Sequence, residues 1–129
     1  MKTKTLGDLI YELTKLQNEH KGDYTVMVTR DSDSFFAESI DSWRGSYSKL
    51  AIGYSSYAED SVTLDEFLCK LVDAAGEYFQ GYKGGSYLMT TSTSVWCDNY
   101  GCYTCYAIKD ITIDTVTNII TLVCREEEN

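Results

Sequence analysis

Apolar residues recur at Leu6, Leu9, Ile10, Leu13 and Leu16, the spacing of one face of a helix. Thr5 followed by Asp8 supplies a start signal, a hydroxyl that caps the first turn and a carboxylate that reaches back. A first helix is predicted over about 6–19, ended by Gly22-Asp23. The pattern then changes period. Tyr24-Thr25-Val26-Met27-Val28-Thr29 is β-branched and aromatic, hence a strand. Asp31-Ser32-Asp33-Ser34 is a polar loop, and Phe36, Ile40 and Trp43 mark a second strand over 35–43. A third is predicted over 49–54, followed by a polar loop over 55–60. Thr63 and Glu66 form a clearer capping box. Leu64, Phe67, Leu68, Leu71, Val72 and Ala75 trace the apolar stripe of a second helix, which stops near Gly76.

The remainder alternates as short strands over 87–89, 94–96 and 103–108. A hairpin follows, with strands over 111–113 and 119–123 joined by Asp114-Thr115-Val116-Thr117-Asn118. Residues 126–129 read as a solvated tail. No internal repeat or linker interrupts the chain. The expectation is one α+β domain over 1–129, two helices packed on a mainly antiparallel sheet.

Composition narrows the function more than the fold. The chain of 129 residues carries 20 acidic and 11 basic side chains, a net charge of −9. That field disfavours nucleic-acid backbones and anionic membranes at long range, so no DNA, RNA or membrane partner is expected. One local cation can still hold a small anion, because distant charges are screened. No stretch approaches the ~18–20 apolar residues of a membrane span. The basic start lacks a signal-peptide core. A cytoplasmic protein is expected, whose five cysteines are thiols or ligands rather than a disulfide framework. Eleven tyrosines suit interfaces and stacking surfaces, and equally the half-buried positions of a small sheet.

Catalytic chemistry finds little support, and no enzyme activity or cofactor is expected. His20, the single histidine, falls at a helix end, and no carboxylate spacing singles out an acid and base. Cys97, Cys102 and Cys105 have the C-x4-C-x2-C spacing of plant-type ferredoxins, with Cys124 as a fourth thiol for iron–sulfur or zinc. Against this, a strand through Cys102 and Cys105 sends them to opposite faces, and buried thiols are the plainer reading. Asp31 and Asp33 begin like a calcium loop but lack its later glycine and glutamate.

Three loop-like patches have unusual chemistry. In Ser42-Trp43-Arg44-Gly45-Ser46-Tyr47, an arginine stands between aromatics beside a glycine, suited to clamping an anion while a ring stacks on a base; an arginine packed over aromatics is the structural alternative. In Gly81-Tyr82-Lys83-Gly84-Gly85, paired glycines allow backbone N–H groups to approach a phosphate beside Lys83, or simply make a tight turn. In Val95-Trp96-Cys97-Asp98-Asn99-Tyr100-Gly101, Asn99 can read a polar edge and Tyr100 can stack, or Asn and Gly can turn a hairpin corner. Trp43, Arg44, Tyr47, Tyr82, Lys83, Gly84, Gly85, Trp96, Asn99 and Tyr100 are the candidate ligand-binding residues.

These blocks, with Leu50-Ala51-Ile52-Gly53-Tyr54 between the first two, resemble in type and order a family of small phage and prophage proteins, over about residues 6–108. The resemblance implies an anti-defence protein that sequesters a nucleotide immune signal such as a cyclic ADP-ribose isomer, without degrading it. It implies a homo-oligomer, and places Arg44, Lys83 and Asn99 near the ligand. Cys97-Asp98 and Cys102-Tyr103-Thr104-Cys105 depart from that pattern, which puts the ligand's identity in question. Two other readings remain open: an acidic inhibitor that binds a host or defence protein, and a cysteine-ligated metal protein.

Overall fold

A computed structural model describes residues 3–43, 46–81, 83–97 and 106–126. Both capping boxes form. Helix α1 (Leu6–Glu19) begins with the Thr5 hydroxyl accepting from the Asp8 N–H and the Asp8 carboxylate accepting from the Thr5 N–H. Helix α2 (Leu64–Ala74) repeats the arrangement with Thr63 and Glu66. Leu6, Leu9 and Leu13 of α1 and Leu64, Phe67, Leu68 and Leu71 of α2 are buried in one core, as their spacing predicts, whereas Val72, expected on the same stripe, is exposed.

The sheet corrects the predicted fold. The strands are β1 (Thr25–Arg30), β2 (Asp33–Trp43), β3 (Ser46–Ser55), β4 (Tyr78–Gln80), β5 (Ser86–Leu88), β6 (Val95–Cys97), β7 (Tyr106–Asp114) and β8 (Ile119–Glu126). Six of them close a barrel in the order β1-β2-β3-β6-β7-β8, while β4 and β5 form a separate two-stranded sheet. The molecule is mostly β, and an α+β packing of two helices on an open sheet is not what it adopts. Two parallel joints make the difference. β3 pairs with β6, and β1 pairs with β8 from Thr25↔Ile119 to Arg30↔Cys124. Alternating apolar positions look the same in an open sheet and a closed one, so local pattern carries no trace of this closure.

Local boundaries also move. β2 begins inside the predicted polar loop, and β3 starts three residues early. The predicted strand ending near 108 and the next over 111–113 are one strand, β7, bent by a register shift between Ile108 and Asp110. The β7–β8 hairpin forms where predicted. Asp114 accepts from the Val116 and Thr117 N–H groups, which hold its carboxyl below the usual range, and Asn118 takes a positive φ.

Strand alternation fills the barrel. Val26, Val28, Ala37, Leu50, Ile52, Val95, Cys97, Ile108, Ile120, Leu122 and Cys124 are buried in the same core as the helices, as expected for a small barrel packed with side chains. Both helices are tied to the end where β1 and β6 begin. The Leu64 N–H donates to the Tyr24 carbonyl at 2.8 Å, and the Leu6 N–H to the Thr93 carbonyl at 2.8 Å.

The stretch before α1 completes the wall. β6 and β7 pair directly only at Trp96↔Ala107 and Cys97↔Tyr106. Beyond that point Lys4 enters between them: its N–H donates to the Ile108 carbonyl and its carbonyl accepts from the Val95 N–H. The buried Thr3 hydroxyl donates to the Val95 carbonyl at 2.6 Å and accepts from the Ile108 N–H at 2.8 Å. Thr3→Val keeps the shape and strands that N–H without an acceptor. A buried donor left unmade costs about 1–3 kcal/mol. Urea unfolding of this variant should therefore show a lower midpoint at an unchanged slope.

Candidate functional site

The outer face of β2, β3 and β6 gathers members of all three sequence patches. Trp43 and Trp96 stack with ring centroids 5.3 Å apart and planes inclined by 19°. Register explains the contact. Trp96 pairs with Ala51 on β3, Ala51 pairs with Asp41 on β2, and a register shift between Ser42 and Trp43 then sets Trp43 opposite Ser46. The small side chain of Ala51 leaves room for two indoles to meet across the middle strand. Lys49, two residues from Ala51 and so on the same face, sets its ammonium 5.7 Å from the Trp96 ring centre. Trp43 is nearly covered, whereas Trp96 is half-buried, with its indole N–H lacking an acceptor.

The second patch reaches the same face through a hairpin whose turn and second strand the sequence predicts and whose first strand, β4, it does not. β4 and β5 pair from Tyr78↔Leu88 to Gln80↔Ser86, and Gly84 and Gly85 turn between them at φ values of +103° and +85°. The Gly84 N–H donates to the Gly81 carbonyl, and the Gly81 N–H to the Gly85 carbonyl. Gly84's amide is thus engaged inside the turn rather than presented to a phosphate. Lys83 is exposed at the tip. Tyr87 of β5 meets Tyr47 of β3 edge to face, centroids 5.7 Å apart. Gly81 lies against both rings: a Cβ there would fall 2.9 Å from each and 2.8 Å from the Gly84 carbonyl oxygen. Ser42 holds the Tyr47 backbone, its hydroxyl donating to that carbonyl at 2.7 Å.

Of the predicted ligand residues, Trp43, Tyr47, Lys83, Gly84, Gly85 and Trp96 are therefore placed: the two tryptophans touch, and Tyr47 adjoins the glycine hairpin. Arg44, Tyr82, Asn99 and Tyr100 lie outside the described residues. Lys49 and Tyr87 were missed. Their alternation with Ala51 and with the β5 register was the available signal. A groove of about 530 Å³ between β2, α2 and β4 lies near the hairpin. Asp41, Asp73 and Glu77 outnumber Lys70 on its walls, so it suits an anion poorly.

A second cluster, also unforeseen, occupies the barrel end where β1 finishes. The Arg30 guanidinium lies 3.7 Å from the Tyr106 ring centre and 5.4 Å from that of Tyr54, and it donates to the Tyr54 hydroxyl. Tyr106 donates to the Asp31 carboxylate at 3.3 Å. Burial works to lower the Arg30 pKa, but the hydrogen bonds and electrostatics of Tyr106 and Tyr54 outweigh it, and the net shift is upward. Arg30 stays charged. Its Nε is covered and has no acceptor, while the residue as a whole is half-buried. Val26, Val28 and Arg30 share one strand face, and this parity was the clue to an inward arginine.

The cysteines divide. Cys97 and Cys124 bring their sulfurs to 2.7 Å inside the barrel, whereas Cys102 and Cys105 lie outside the described residues. Among the described residues no group of three or more His, Cys, Asp or Glu side chains is placed to hold a metal. His20 caps the end of α1, and no described helix is long and apolar enough to cross a membrane. No family model, curated protein or solved structure matches the chain.

Gly81→Ala tests whether the hairpin and the β3 face form one surface. The added methyl must displace both Tyr47 and Tyr87 and the Gly84 carbonyl, since it would come closer to all three than ordinary contact allows. NMR spectra of the variant should shift the Tyr47 and Tyr87 ring resonances while the α1 amides stay in place.

Proposed function

We propose that this protein binds a small anionic ligand carrying a flat ring, of the nucleotide class, and sequesters it unchanged. The observation that supports the reading is the convergence of three separated sequence patches on one outer face: Trp43 on Trp96, and Tyr47 beside Gly81 and Tyr87. A base would stack over the half-buried Trp96 ring, and Lys49 and Lys83 would supply positive charge in an otherwise acidic protein. Arg44 and Asn99, adjoining the two tryptophan segments in sequence, complete the proposed contact set. Sequestration needs slow release and a largely covered ligand, which a second subunit over this open face would provide. The resemblance to phage anti-defence proteins makes a cyclic ADP-ribose-type signal in a bacterial host's cytoplasm the ligand to try first.

A second reading, capture of a defence protein by an acidic, tyrosine-rich surface, draws on the strong exposure of Tyr11, Tyr57 and Tyr78.

Calorimetry and native mass spectrometry with cyclic ADP-ribose isomers and cyclic dinucleotides separate the two. The expected result is a ligand-bound species, strongest at low salt, from which denaturation releases the ligand intact. Stacking contributes about 1–3 kcal/mol per base, so Trp96→Ala should weaken binding by roughly 5- to 150-fold, with a smaller loss for Lys49→Ala. Recovery of cleaved ligand contradicts sequestration. Binding of a protein partner with no nucleotide bound favours the second reading.

A further inference from the structure

Cys97 is the last residue of β6, and Cys124 lies two residues before the end of β8. The two strands are separated by β7, yet both side chains point into the barrel and their sulfurs stand 2.7 Å apart. That is closer than non-bonded heavy atoms settle and about 0.7 Å longer than the ~2.05 Å of a disulfide. Both residues are covered, at 0% and 2% exposure, which keeps bulky thiol reagents and large disulfides from them. Cys97 is paired with Ile52 and Tyr106, and Cys124 with Arg30 and Ile108, so any approach of the two backbones that a disulfide requires is taken up by the ladders on either side. Cys69, by contrast, is exposed on α2.

We infer that Cys97 and Cys124 are an oxidation site, joined by hydrogen peroxide into a disulfide that ties β6 to β8 across the barrel interior. One sulfur, as its thiolate, attacks a peroxide oxygen. The S–O bond forms, the O–O bond breaks, and the departing hydroxide leaves as water after taking a proton. The other thiol then attacks the sulfenic sulfur: the S–S bond forms, the S–O bond breaks, and a second water leaves. Two thiols lose two protons and two electrons, and one peroxide is reduced to two waters. The bond joins the ends of two strands at the level of Arg30, whose register partner is Cys124, and it constrains Trp96, the chain neighbour of Cys97 on the opposite face.

The test uses the full chain, first reduced, then treated with hydrogen peroxide, unfolded and alkylated without reductant. The expected product has lost two hydrogens. Its digest contains a peptide pair linked through Cys97 and Cys124 that dithiothreitol separates, with Cys69 outside the link. Its melting temperature exceeds that of the reduced protein, and Cys124→Ser abolishes the link. A Cys69→Ser, Cys102→Ser, Cys105→Ser chain retains only the two buried sulfurs and should form the same bond. Complete alkylation of Cys97 and Cys124 after peroxide overturns the inference, as does a link through Cys102 or Cys105 instead, or a stoichiometric metal that accounts for both sulfurs.

Discussion

The parallel ladder between β1 and β8 is the constraint on which the rest of the molecule depends. It joins the first strand to the last, and without it the six strands would leave two open edges. With it, each strand has a fixed inside and outside. Val26, Val28 and Arg30 turn inward beside Leu122 and Cys124, and the opposite faces turn out. A one-residue slip would exchange the two sets. The closure therefore places the buried sulfurs, the half-buried guanidinium and the outer aromatic face at once.

Polar groups are handled differently at the two ends. At the end tied to the helices, the Lys4 backbone and the Thr3 hydroxyl satisfy groups that β6 and β7 leave unpaired, and the Leu6 and Leu64 N–H groups donate to the carbonyls of Thr93 and Tyr24 just before β6 and β1. At the other end a charged side chain does the filling. Arg30 stacks between Tyr54 and Tyr106, and the attraction of a cation for ring faces offsets part of the cost of taking it from water. The register partner of Arg30 on β8 is Cys124. The outer face of β2, β3 and β6 follows from the same register: a small residue, Ala51, at the middle strand allows the indoles on either side to touch.

Both helices were legible in the sequence, because a capping box and an apolar stripe are local features whose physics is complete within one or two turns. The β7–β8 hairpin was legible for the same reason, its turn being held by Asp114 and Asn118. The barrel was not. Its two parallel joints connect residues 45 and 94 positions apart, and nothing in the alternation of Val26, Val28 or Leu122 says which strand lies alongside. Of the β4–β5 hairpin the glycine turn and the second strand were legible, but β4 was not, because Tyr78–Gln80 follows directly on the end of α2 with no signal that separates it from the helix.

For the site, the sequence by itself determined the chemical types: tryptophans and tyrosines near glycines, with lysines close by, in three separate segments. It also determined where the helices begin and which of their faces are buried. Only the tertiary structure decided that Trp43 lies on Trp96, that Tyr47 adjoins Gly81, that Arg30 is drawn inward, and that Cys97 faces Cys124. The physical reason is that helix caps and side-chain alternation are settled by neighbouring residues. Contacts across a closed barrel are settled by the register of strands distant in the chain, which is selected only when every inward side chain must fit into one core.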